Sequence, residues 1–201
     1  MNIVFDLDGT LCTKNTYKIF LILLLLFTSL TLQVKSAFLF FKILVNRKKG
    51  IYDRFEMKRM YFFLYEGICG QAVFNGLLHY FLKKFIRKKL ILNHARPDDT
   101  LILATAAYEF YAARIAKEYN FTTCISTSRQ DVLSNTECLG LEKANRLQSF
   151  LGGKKIDKFF TDHKDDIPTI KISELTFLVK PSRKSLEEVE ILNRKIDYSY
   201  V

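Results

Sequence analysis

Two carboxylates sit almost at the start of the chain, in Phe5-Asp6-Leu7-Asp8-Gly9-Thr10-Leu11, directly after the apolar run Ile3-Val4-Phe5. A short buried strand thus runs into a pair of acids and then a glycine turn. Two acids crowded at a sheet edge are costly unless a positive charge lies between them. A divalent cation with a phosphate-like ligand removes that cost. A carboxylate beside such an ion can also attack phosphorus. An EF-hand loop beginning at Asp6 would need glutamate at its twelfth position, which is Tyr17, and a preceding strand does not fit a helix–loop–helix. A plain surface turn does not account for Asp-x-Asp-Gly-Thr-Leu following a strand.

This segment resembles the first motif of the haloacid dehalogenase (HAD) superfamily, whose members are mostly phosphatases. The resemblance implies three more motifs in fixed order. The second is a strand ending in Ser or Thr, matched by Thr100-Leu-Ile-Leu-Ala-Thr105, which follows Pro97-Asp98-Asp99 and precedes a helix-like stretch from Glu109 to Tyr119. A hydroxyl and a backbone N–H near a helix N-terminus suit a phosphate oxygen. The third is a lysine opening a helix, matched by Gly140-Leu141-Glu142-Lys143-Ala144, with the helix running through Phe150 to Gly152-Gly153. The fourth is an acidic cluster after a strand, matched by Phe159-Phe160-Thr161-Asp162-His163-Lys164-Asp165-Asp166. Asp162 and Asp166 have the family spacing, and Asp165 is the alternative second acid. Acids at a helix start are favoured in any case, so the order of the series carries the weight. Thr105-Ala106 through Tyr111-Ala112, and Ile125-Ser126-Thr127, most resemble the phosphoserine-phosphatase-like branch (subfamily IB-type). The resemblance covers residues 2–11 and 96 to the C-terminus.

Residue by residue, the resemblance implies Mg²⁺ held by Asp6, the Asp8 backbone carbonyl and Asp162. Asp6 is the expected nucleophile and Asp8 the expected acid and then base. Thr105, Ala106 and Lys143 are expected to hold the phosphoryl oxygens. Asp166 orients the metal shell or Lys143. The implied activity is a Mg²⁺-dependent phosphomonoester hydrolase working through an aspartyl-phosphate. Its substrate is either a lipid- or prenyl-linked phosphate at a membrane surface or a small soluble ester such as phosphoserine. A phosphotransferase, a phosphonatase or a non-catalytic phosphate-binding scaffold would share much of the same site.

Strand-like runs at 2–5, 100–105, 122–126, 157–161 and 176–179 alternate with helix-like runs. Alternation of this kind predicts an α/β fold, here a Rossmann-like HAD core with a parallel sheet flanked by helices. In open α/β sheets ligands sit beyond the carboxyl ends of the strands, where all four motifs fall, so groups about 150 residues apart can meet. Ser185-Leu-Glu-Glu188 reads as a capping box for a helix to about Asn193, and Ile196 to Tyr200 as a last strand. Residues 14–94 differ, with no proline and no alternating pattern. They predict an all-helical cap inserted after the first motif, with 1–13 and 95–201 as the core.

The overall charge of +10 resides in that insert. Lys14 to Arg96 hold 16 Lys and Arg against three acids, a net of +13, while the remainder is −3. Clusters at Arg47-Lys48-Lys49, Lys58-Arg59, Lys83-Lys84 and Arg87-Lys88-Lys89 lie among Leu and Phe, which suits an anionic membrane face; each basic residue contributes about 1 kcal/mol near acidic lipid. The lack of a polar groove or nucleic-acid motif argues against nucleic acid. Ile19 to Val34 is the most apolar stretch, but its 16 residues fall short of the ~20 that span a bilayer. A single crossing would also part Asp6 from Lys143 and Asp162. A buried cap helix, an interfacial helix or a tight re-entrant segment with Ala37 to Val45 remain, and an oligomer contact is the other way to cover the surface. Phe38 to Phe41, Ile43, Leu44 and Tyr61 to Leu64 extend the same apolar surface. Asp6 and Asp8 precede the run and would be discarded with a cleaved signal, which argues against a secretory signal. Cys12, Cys69, Cys124 and Cys138 lack metal-type spacing and read as reduced, mostly buried residues of a cytoplasmic protein, peripherally attached to the membrane. His163 lies inside the acidic motif, within reach of the site.

Overall fold

The computed structural model describes residues 1–191 and the strand Ile196–Ser199. The apolar segment Asn2–Phe5 forms β1, and five helices follow: Thr16–Leu30 (α1), Val34–Lys48 (α2), Arg54–Glu66 (α3), Gln71–Lys83 (α4) and Lys88–His94 (α5). The chain then alternates through Thr100–Tyr108 (β2), Glu109–Glu118 (α6), Thr123–Thr127 (β3), Arg129–Leu133 (α7), Leu141–Leu151 (α8) and Ile156–Thr161 (β4). A 3₁₀ turn at Lys164–Asp166 leads to Ile167–Lys171 (α9), Ser173–Val179 (β5), Arg183–Glu190 (α10) and Ile196–Ser199 (β6). The six strands form one parallel sheet in the order β3-β2-β1-β4-β5-β6.

Because strand side chains alternate, one sheet feeds two cores. Ile3, Phe5, Leu101 and Leu103 face α6 and the helices between β1 and β2. Val4, Ile102 and Ala104 face Leu147 and Leu151 of α8, Ile170 of α9 and Val189 of α10. Phe5, Phe160 and Phe177 stack across β1, β4 and β5 with centroids 4.5 Å apart. Both faces being covered explains why β1 reads as an unbroken apolar run.

The predicted strands and their parallel arrangement agree with the structure. Three local expectations change. β2 continues to Tyr108, so Thr105 is not its last residue; its register with β3 shifts between Ala104 and Tyr108. The last long helix begins earlier, capped by Ser182, whose hydroxyl accepts from the Ser185 N–H; Ser185 itself is buried. The predicted end of that helix near Asn193, and Tyr200 of the last strand, lie outside the described residues. Ser128 and Asp131 instead form a capping box at α7.

The insert is helical throughout, but α1 is neither wholly buried nor wholly lipid-like. Its buried positions recur every fourth residue at Thr16, Phe20, Leu24 and Thr28, while Ile22, Leu26 and Leu30 are exposed. Phe20 sits among the rings of Tyr17, Tyr65, Phe74, Tyr108, Phe110 and Tyr111, which join the insert to α6 and β2. Phe40, Ile43, Tyr61, Phe62 and Leu64, grouped above with the apolar surface, are buried here. No helix among the described residues is long and apolar enough to cross a membrane. All four cysteines are free, and Cys69 is exposed rather than buried.

Phe20→Ala is expected to lower unfolding free energy by about 3–5 kcal/mol, because a full ring leaves a closed aromatic cluster. Ile22→Ala, two positions away on the open face, is expected to change it by less than about 1 kcal/mol. Urea denaturation of the two variants tests this contrast.

Candidate active site

β1 ends at Phe5, and the Asp6 N–H still bonds the Phe160 carbonyl of β4 at 2.9 Å. The chain then turns sharply: Leu11 N–H returns to the Asp6 carbonyl and Cys12 N–H to Leu7, at 3.2 and 2.7 Å. Gly9 makes the turn at φ +80°, and a Cβ there would lie 2.0 Å from Asp162 Oδ2. Only glycine lets the loop after β1 close on the carboxylate at the end of β4. Thr10 Oγ1 donates to the other Asp162 oxygen at 3.3 Å.

Lys143 enters from the first turn of α8 and is almost completely buried. Its Nζ lies 2.9 Å from Asp6 Oδ1 and 2.6 Å from Asp166 Oδ1. Asp166 also accepts from Thr161 Oγ1 at 2.6 Å. Of the two candidates for the second acid, Asp166 is therefore the one turned inward; Asp165 is partly exposed beside His163. Thr105 is buried, with its Oγ1 accepting from the Ala107 N–H at 3.1 Å. Asp8 accepts the Thr16 N–H at 2.7 Å, so the first turn of α1 holds this acid in place. Asp6, Asp8, Thr105, Ala106, Lys143, Asp162 and Asp166 all line one cavity of about 350 Å³, and His163 reaches its wall.

The carboxyl groups are under electrostatic load. Burial raises Asp6 well above the usual carboxylate range; Lys143 opposes this, while Asp166 and Asp162 add to it. Burial also raises Asp8, against the Thr16 N–H, and pushes Asp162 up to about 6. Burial works against the Lys143 charge too, but Asp166 and Asp6 outweigh it and keep the amine protonated. One lysine does not neutralise this many acids, and a cation among Asp6, Asp8 and Asp162 would. The donors present are hard oxygens, suited to Mg²⁺ rather than to a thiophilic metal. Among the described residues no three Asp, Glu, His or Cys side chains enclose an ion by themselves.

Arg87 supports the loop beneath the site, although its Arg-Lys-Lys run reads as surface charge. Its Nη1 donates to the carbonyls of Gly9 and Thr10, and its backbone N–H to Leu11 at 2.8 Å. The chain returning from the helices thereby clamps the loop that carries both acids. Lys58 likewise turns inward, pairing with buried Glu137 at 2.7 Å. No local pattern in the sequence separates these two residues from their exposed neighbours.

A second cavity of about 270 Å³ adjoins the first and shares Asp8, Asn15, Arg54 and Ala106 with it. Tyr17, Met57, Tyr108 and Tyr111 supply its walls, and Arg54 and Lys58 its positive charges.

Lys143→Met leaves two buried acids without their cation and is expected to cost about 3–5 kcal/mol of stability at pH 7. Asp6, already raised in the folded state, rises further. A group so raised contributes fully below its unfolded value, about 3.9, and loses that contribution as pH climbs through its folded value. The deficit should therefore shrink as pH falls toward about 4, which denaturant titrations at several pH values would measure.

Residues 3–171 match the family described as haloacid dehalogenase-like hydrolase. A search of curated proteins returned no match. Among solved structures, a protein of unknown function from Bordetella pertussis Tohama I superposes with a TM-score of 0.72 at 15% identity, covering 97% of this chain and 96% of that one. A substrate-bound phosphoserine phosphatase superposes at 0.59 with 13% identity, over 94% and 90% of the two chains. A probable phosphoserine phosphatase from Vibrio cholerae superposes at 0.56 with 11% identity, over 92% of this chain and 58% of its own. At such identities the likeness is one of fold, and it is shared along nearly the whole chain. With the family matched over most of its length and the site at the carboxyl ends of the strands, this chain belongs to the haloacid dehalogenase-like hydrolases, on the fold of the phosphoserine-phosphatase-like branch.

Proposed function

We propose that the protein is a Mg²⁺-dependent phosphomonoester hydrolase that works through an aspartyl-phosphate on Asp6, with a lipid- or prenyl-linked phosphate as its substrate at a membrane surface. The observation that carries the reading is the meeting of Asp6, Asp8, Asp162, Asp166, Lys143 and Thr105 around one cavity, although they come from four separate segments.

In this reading Lys143 and Asp166 form a fixed pair that holds Asp6 by one oxygen, leaving the other to face the phosphoryl group. Asp6 attacks phosphorus as the phosphorus–oxygen bond to the alcohol breaks. Asp8, whose carboxyl burial raises, gives its proton to that oxygen. Water then attacks the aspartyl-phosphate, Asp8 takes the proton back, and inorganic phosphate leaves with Asp6 restored. Lys143, the Thr105 hydroxyl and the Ala106 N–H receive the three phosphoryl oxygens, in a dry site where such contacts count most. Asp6, the Asp8 carbonyl and Asp162 are the groups that would hold Mg²⁺, which when bound neutralises charge on the phosphoryl group. Arg87 keeps the Asp6–Asp8 loop in register with the helices above it.

The adjoining aromatic cavity supports an apolar leaving alcohol. Its one carboxylate, Asp8, is already the proton donor, and nearby Glu137 is held by Lys58. The cavity therefore offers no free acid to receive an ammonium group, and its aromatic walls suit a hydrocarbon chain.

Asp6→Asn is expected to abolish Mg²⁺-dependent release of phosphate from every ester tried; retention of full turnover would sink the nucleophile assignment. In a panel of polyprenyl phosphate, glycerolipid phosphate, phosphoserine and p-nitrophenyl phosphate, the highest kcat/KM is expected for the lipid esters. Preference for phosphoserine would overturn that substrate class while leaving the chemistry intact. Asp8→Asn is expected to lower kcat about 10²–10⁴-fold with an alkyl leaving group. With p-nitrophenyl phosphate, whose leaving group needs no proton, the variant should release one equivalent of nitrophenol rapidly and then stall at the aspartyl-phosphate.

A further inference from the structure

The α1–α2 hairpin carries a continuous outward face that nothing among the described residues covers. On α1, Ile22 and Leu26 lie two positions, or about 200°, from the buried Phe20 and Leu24, so they point away from the core. On α2, Phe38 and Phe41 stand in the same relation to buried Phe40 and Ile43, and Val34 and Val45 continue their ridge. The two helices pack side by side, which joins these ridges into one surface. At the turn between them Leu30 and Leu32 are 81% and 82% exposed. Leu32 adopts φ +55°, a conformation that glycine or asparagine takes at far lower cost than a bulky apolar residue. The turn is nevertheless held rigid. The Gln33 side chain faces inward and bonds the backbone N–H and carbonyl of Cys69 at 2.9 and 3.2 Å, which presents the leucines to the outside.

The charges on this hairpin are all of one sign. There is no acid from Gly9 to Tyr52, while Lys18, Lys35, Lys42, Arg47, Lys48 and Lys49 are all exposed. None of the six is in an ion pair among the described residues. A second copy of the chain would bring this positive surface against itself. A bilayer with anionic headgroups instead complements it in both respects, with acyl chains for the ridges and phosphates for the lysines.

We infer that the outer face of the α1–α2 hairpin is a docking surface for anionic lipid, lying in the plane of the interface. The inference names the surface for the membrane-acting hydrolase proposed above and rests on that reading. The in-plane pose follows from the ridges, which extend beyond the exposed tip back to Ile22 on α1 and Val45 on α2. It also follows from the site. Asp8 is bonded to the first residue of α1, and a 15-residue helix is about 22 Å long, so a tip-down pose would lift the site about that far from the lipid. Lying flat, the hairpin brings the start of α1 and the site beside it to the headgroups.

The test is co-sedimentation of the full chain with phosphatidylcholine vesicles, with and without phosphatidylglycerol, alongside turnover of p-nitrophenyl phosphate in solution. Wild-type protein should bind the anionic vesicles, less so as salt rises, and leave the neutral ones largely free. Leu32→Glu with Phe38→Glu, and separately Lys35→Glu with Lys42→Glu, should each lose at least about tenfold in partitioning. All four positions are exposed, so melting temperature and turnover of the soluble ester should be unchanged. Equal binding to both vesicle types, no binding to either, or variants that bind like wild type would overturn the inference. So would a wild-type dimer that the Leu32→Glu, Phe38→Glu variant dissolves, since the face would then belong to a second copy. Vesicle binding without turnover would uphold the docking face and defeat the hydrolase reading; turnover without binding would do the reverse.

Discussion

Lys143 places an ammonium group, shut off from water, between two carboxylates, 2.9 Å from Asp6 and 2.6 Å from Asp166. A buried ion triad of this kind is seldom a source of net stability, since desolvating three charges cancels most of the attraction. What it imposes is geometry. Asp6 extends from the central strand, Lys143 from the first turn of α8, and Asp166 from the 3₁₀ turn after β4. Satisfying the triad forces these elements to meet at the carboxyl edge of the sheet, and that meeting defines the site. Burial raises Asp6, Asp8 and Asp162 together, so the unliganded site holds more negative charge than it can comfortably carry. Such a site is ready to receive positive charge and, behind it, a phosphoryl group.

The loop after β1 belongs to both halves of the molecule. On its inner side Gly9 lets Asp162 close in, and Thr10 bonds that carboxylate. On its outer side Arg87 grips the carbonyls of Gly9 and Thr10, and the first turn of α1 grips Asp8. A shift of the helices relative to the sheet would pull on both acids at once. Substrate-dependent chemistry and the helical insert are thus mechanically linked through a few backbone carbonyls and one side-chain cap.

The helices between β1 and β2 are divided in the same way. Their inner face is aromatic and nearly solid, built around Phe20 and continuous with Tyr108, Phe110 and Tyr111 of the core. Their outer face is apolar and basic, with no acid on α1, α2 or α4. Amphipathicity here separates two apolar surfaces, distinguished by what surrounds them rather than by hydrophobicity.

That division marks where sequence reading reaches its limit. Periodicity and β-branched runs determine strands and helices locally, so the alternation of elements, the parallel sheet and the helical insert could be read from the chain. The acids at strand ends could be read as well, because a strand followed by Asp-x-Asp-Gly has few physical explanations. Whether Asp165 or Asp166 pairs with Lys143 was not readable, since neighbours in sequence differ only in which side of a 3₁₀ turn they occupy. Nor was the inward turn of Arg87 and Lys58, whose runs are chemically the same as the exposed Arg47-Lys48-Lys49. In Ile19 to Phe27 every position looked equally apolar, and packing alone chose Phe20 and Leu24 for the core and left Ile22 and Leu26 outside. Local patterns encode what a residue prefers. Which of several equal candidates is satisfied is a matter of long-range geometry, and that exists only in the folded chain.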